Sequence, residues 1–85
     1  VKITIDVPDY APETGLRMTW ESGSVISTEL QHGVLHLIAN EEGLISLARL
    51  FLTLTHPDVP SGNHWHLDDS NSLEEGSFGM IIERA

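Results

Sequence analysis

The sequence predicts an α+β domain: a mostly antiparallel sheet of about six strands with one helix packed on a face, in the order β-β-β-β-α-β-β. Three observations carry this reading. Short segments in which apolar and polar residues alternate occur before residue 40 and after residue 63. Only one segment between them changes to the helical period. The early alternating segments are joined by short turn-forming sequences, as an antiparallel meander requires.

Ile3, Ile5 and Val7 alternate with Lys2, Thr4 and Asp6, the pattern of a half-buried strand, and Pro8 ends it because it has no N–H to give a ladder. Residues 9–15 are turn-rich. Leu16, Met18 and Trp20 then alternate with Arg17, Thr19 and Glu21, predicting a second strand. Ser22-Gly23 marks a tight turn, Val25 to Leu30 a third strand, His32-Gly33 another turn, and Val34 to Ala39 a fourth strand. Asn40 is a good N-cap, and Glu41 and Glu42 sit where the helix dipole favours negative charge. Gly43 at the third helical position leaves the cap without its usual reciprocal Glu or Gln. Leu44, Leu47, Ala48, Phe51 and Leu54 recur at the spacing of one helical face, and His56-Pro57 closes the element. After a loop at 57–63, His64 to Asp68 reads as a fifth strand, 69–77 as a polar connection and Phe78 to Arg84 as a sixth strand.

The helix carries more apolar surface than one sheet can cover. Ser46, Arg49, Thr53 and His56 fall within a polar arc of about 80°, and the apolar residues, Ile45, Leu50 and Leu52 included, cover roughly 220°, twice the usual stripe. Either loops 9–15 and 57–63 cover the flanks, or a second protein does, a twin subunit or a partner.

Composition narrows the function. The 85 residues are expected to form one domain, 1–85, with one shared core. Thirteen acidic residues against four basic ones give a formal charge of −9. Lys2, Arg17, Arg49 and Arg84 are scattered, so neither nucleic acid nor an anionic membrane surface is an expected partner. No Cys is present, which excludes disulfides and thiolate metal sites. No long apolar segment marks a signal peptide or a membrane span, and the cytoplasm is the expected compartment.

The one constellation with ligand character is His64-Trp65-His66-Leu67-Asp68. In a strand His64, His66 and Asp68 share a face, and two imidazoles with a carboxylate suit zinc or non-haem iron. His32 or His36 would supply a further ligand from a neighbouring strand. The simpler reading turns Trp65 and Leu67 to the core and leaves the His/His/Asp face in water. No Gly-rich phosphate loop, Cys nucleophile or Gly-x-Ser-x-Gly elbow occurs, so nothing requires an enzyme and no cofactor is expected. Asp68, Asp69, Glu74 and Glu75 crowd one connection, where they either steer a basic partner or simply keep the protein soluble.

Leu35-His36-Leu37, Gly43-Leu44, Leu47-Ala48-Arg49-Leu50, the run from Pro60 to Asp68, and Leu73-Glu74-Glu75-Gly76-Ser77 together resemble the immunity protein 32 family of bacterial polymorphic-toxin systems, over about residues 34–83. The resemblance implies a small cytoplasmic protein, largely β-sheet, that binds and neutralises a toxin from a neighbouring or sister cell. It brings no established functional residues. The expectation is an acidic inhibitor that occludes its toxin, with Asp68, Asp69, Glu74 and Glu75 steering and Trp65 or the helix flank anchoring. The runner-up is a metal-binding or metal-dependent module on His64, His66 and Asp68. A third reading is a homodimer through the helix flank.

Overall fold

A computed structural model describes residues 1–85. Its regular elements are β1 (Ile26–Gln31), β2 (Val34–Ala39), α1 (Glu41–Leu54), β3 (His64–Leu67) and β4 (Met80–Glu83). The α+β class is as expected, but the strands number four, in two separate antiparallel hairpins, β1–β2 and β3–β4, rather than about six in one sheet. The strand after the helix pairs antiparallel with its neighbour. No helix is long and apolar enough to cross a membrane.

The two expected strands at the start of the chain are where the readings part. Leu16, Met18 and Trp20 do turn inward and pack against the core, while Arg17 and Thr19 are exposed. The alternation therefore identified the inner side, but no neighbouring strand lies alongside to form a ladder. The Glu21 N–H instead donates to the Ser46 hydroxyl on α1, at 2.8 Å. Ile3 and Val7 remain exposed, and Arg49 holds this first segment through the Asp6 carbonyl, at 3.0 Å.

The β1–β2 turn is His32-Gly33, both with positive φ (51° and 76°), as a two-residue type I′ hairpin demands. Gly33 adopts this without a Cβ penalty, whereas His32 bears some strain. Asn40 then starts α1 as expected: its side-chain oxygen accepts from Gly43 N at 2.9 Å and Val25 N at 3.0 Å, and its amide donates to Gly23 O at 2.9 Å. One side chain thus caps the helix and ties it to the chain entering β1. The helix ends with Thr55 as C-cap, and its last carbonyls accept from the Arg84 guanidinium, which reaches Leu54 O and His56 O from beyond β4. A cation there also opposes the negative end of the helix dipole.

The helix faces the core with a different side from the expected one. Gly43, Ser46, Leu47, Leu50, Thr53 and Leu54 are buried, while Leu44 and Phe51 lie outside. Two small polar residues can occupy the inner side because each hydroxyl satisfies itself on the preceding turn: Ser46 donates to Glu42 O at 2.8 Å and Thr53 to Arg49 O at 2.7 Å. Gly43 permits close approach, since a Cβ there would sit 2.8 Å from both Ile26 Cγ1 and Val25 O. The core comprises Ile26, Leu47, Leu50, Leu54, Val59, Trp65, Leu67 and Leu73, so α1 joins β1, β3 and two loops. Each large side chain buried there contributes about 1.5–3 kcal/mol.

Candidate functional site

Strand β3 alternates as its sequence predicts. Trp65 and Leu67 are buried against Ile82 and Met80 of β4, and His64 and His66 face solvent opposite Glu83 and Ile81. Trp65, expected as one possible anchor for a partner, belongs to the core: it is 4% exposed, and its indole N–H donates to Leu50 O at 2.8 Å. A buried indole needs such an acceptor, and here that need links β3 to the middle of α1.

His64, His66 and Asp68 lie on the outer side of this strand and its exit but do not form a ligand set. His66 Nε2 is 3.7 Å from Asp68 Oδ2, and His64 Nδ1 is 3.1 Å from Gly62 O. His36 is on β2, paired with Glu29 of β1, and His32 is in the hairpin turn, so neither joins them. No three His, Asp or Glu side chains converge to hold a metal ion. The strand pattern places residues on a common face, but coordination also requires their donor atoms to meet at a point.

The acidic connection is built from its own backbone. The Asp68 carbonyl accepts from the N–H groups of Asn71, Ser72 and Leu73, at 3.3, 3.1 and 2.9 Å. Its carboxylate accepts from Ser70 N at 2.9 Å, and the Asn71 side chain bridges Asp68 N and His66 O. Asp69 accepts from Gly76 N at 3.3 Å. Leu73 is buried in the core, Glu74 N donates to Ile26 O at 2.8 Å, and Ser77 Oγ accepts from Thr28 N at 3.1 Å. Residues 68–77 therefore form a closed loop fastened along the edge of β1. The sequence identified the charge here but not the fastening, which depends on Ser77 and Leu73 meeting residues of β1 and the core.

Asp68 and Asp69 serve the loop as well as charging it, whereas the Glu74 and Glu75 side chains are exposed and make no hydrogen bond or ion pair. The only Arg or Lys ion pair in the protein lies elsewhere, between Arg49 and Glu21 at 2.8 Å. The acidic loop thus has no Arg or Lys paired to it, and only His66 approaches one of its carboxylates, that of Asp68.

The second surface is the outer flank of α1. Tyr10 approaches His56 and Val59 enters the core, so both expected loops contribute to packing, but neither covers this flank. Leu44, Ile45 and Leu52 line a groove of about 680 Å³ with Ile3 and Ile5 of the first segment. Thr4, Asp6, Glu21, Ala48 and Arg49 complete its wall.

No curated protein and no solved structure matches the chain significantly. The family model described as Immunity protein 32 matches residues 34–85, which include β2, α1, β3 and β4. With more than half of its length inside that match, the chain belongs to the Immunity protein 32 family.

Proposed function

We propose that this protein neutralises a toxin by occlusion, without chemistry of its own, and that the toxin presents a basic surface to the loop at 68–77. The observation that carries the reading is a loop of carboxylates that is held in place yet has no Arg or Lys paired to it, its one ionisable neighbour being His66 beside Asp68. Charge of one sign on an ordered surface accelerates encounter with an oppositely charged partner, and the fixed backbone limits the entropy lost on docking. Glu74 and Glu75 provide the freest charge and Asp68 and Asp69 reinforce it. The groove beside α1 supplies the apolar anchor, in place of Trp65.

The test is co-expression with the candidate polymorphic-toxin domains of the host genome, each in turn. The expected result is restored growth and a stoichiometric complex after purification. Continued toxicity, with no complex between the two purified proteins, would overturn the proposal.

A further inference from the structure

Residues 1–10 are anchored at Tyr10 and loose before Asp6. Tyr10 packs against the core and meets the His56 ring, with centroids 6.0 Å apart. Among residues 1–10 one polar group has a protein partner, the Asp6 carbonyl, which accepts from Arg49 Nε at 3.0 Å. Arg49 is itself held: its Nη2 donates to Glu21 Oε1 at 2.8 Å, and the Glu21 N–H donates to Ser46 of the same helix. The guanidinium is therefore a fixed fork, with one prong on Glu21 and the other on the first segment. Before that tie, residues 1–5 make no hydrogen bond to the rest of the chain.

This loose part lies beside the groove on α1. Ile3 and Ile5 line the groove from the first segment, and Leu44, Ile45 and Leu52 line it from the helix. The space between them is about 680 Å³, enough to admit both Ile side chains. Ile3 is 84% exposed, and Leu44, Ile45 and Leu52 are exposed as well. The alternation of Ile3 and Ile5 with Lys2, Thr4 and Asp6 gives the segment an apolar side, yet no strand lies alongside to use it. Apolar surface thus borders apolar surface across an open groove, and surface of that kind is driven together in water.

We infer that residues 1–5 are a strap that closes over this groove, turning about the Arg49 latch so that Ile3 and Ile5 enter it and cover Leu44, Ile45 and Leu52. The occupant is a segment of the chain at the rim of the groove, so closure loses no translational freedom and is independent of protein concentration. The one polar tie of the strap, at Asp6, is the pivot and survives the movement. Ile3 and Ile5 enter without Lys2, which alternates to the opposite side of an extended chain. For a groove that anchors a toxin, the strap is an autoinhibitory cover that the toxin displaces. That consequence rests on the proposed function; closure itself does not.

Binding of Nile red, a neutral apolar dye, to the full chain tests closure with no toxin present, so its outcome is separate from that of the toxin reading. The sign of the effect decides. Where Ile3 and Ile5 cover the groove, Ile3→Ser/Ile5→Ser uncovers the helix flank and should raise dye binding at least about threefold. Where they only line an open groove, the same change removes apolar wall and lowers binding. Adding Leu52→Ser should return binding to the wild-type level, which locates the dye in the groove. Circular dichroism of each variant should match wild type, because Ile3, Ile5 and Leu52 lie outside the core. In the unaltered protein, nuclear Overhauser contacts should join the Ile3 methyls to those of Leu44, Ile45 or Leu52. The inference is overturned by dye binding that is unchanged or lower in the double variant, by a gain that survives Leu52→Ser, or by the absence of every such methyl contact.

Discussion

In the β3–β4 hairpin, Trp65 and Leu67 turn to the core and His64 and His66 to solvent. In the β1–β2 hairpin, Ile26 and Thr28 are buried, but Val34 to Ile38 of β2 are exposed throughout. Both hairpins are antiparallel. The difference comes from what lies against them. Strand β3 is locked to α1 through the Trp65 indole and packs among the core residues, whereas the far end of β1–β2 projects past the core with no layer over Leu30, Leu35 and Leu37. Apolar composition thus identifies residues able to be buried, and a second layer is needed to bury them.

The largest contrast between the hairpins should appear when one Leu is truncated in each. Leu67→Ala removes a fully buried side chain and should cost about 2–5 kcal/mol of unfolding free energy, measured by urea denaturation. Leu35→Ala should stay within about 0.5 kcal/mol of wild type. Equal losses would show that a layer covers β2 after all.

The next contrast concerns where α1 meets β1. Gly43→Ala would bring a Cβ within 2.8 Å of Ile26 Cγ1 and of the rigid Val25 carbonyl. The expected loss is about 1–3 kcal/mol, even though Ala is the better helix former by about 1 kcal/mol. A variant more stable than wild type would show that the helix does not approach so closely. Ser46→Ala should cost about 1–2 kcal/mol, because the Glu21 N–H loses its acceptor. No loss there would detach the first extended segment from the helix.

The smallest effect is expected at the exposed hairpin turn. His32→Asn places a residue that better tolerates positive φ before Gly33 and should raise stability by a few tenths of a kcal/mol to about 1 kcal/mol. A decrease would mean that the His32 ring makes a contact worth more than the relieved strain.

These contrasts also separate what the sequence discloses from what it conceals. The turns at Ser22-Gly23 and His32-Gly33, the N-cap at Asn40 and the alternation of β3 depend on neighbouring residues, and each was legible. The ladders expected for residues 2–7 and 16–21 were not, because an extended segment becomes a strand only when another strand lies beside it. The inner side of α1 was misread for a similar reason: Ser46 and Thr53 count as polar in a hydropathy pattern, yet each hydroxyl is satisfied within its own helix. At the candidate site the cluster at 68–75 was visible as charge. Its anchoring to β1 through Glu74 N and Ser77 Oγ was not, because those partners lie some fifty residues away in the chain.

The proposed function rests on charge held ready in the 68–77 loop, and association kinetics with the cognate toxin domain test it most directly. Glu74→Lys/Glu75→Lys should fold like wild type but associate at least about tenfold more slowly at low ionic strength, with the two rates converging as salt screens the charges. An association rate that ignores both the double substitution and the salt concentration would contradict the account.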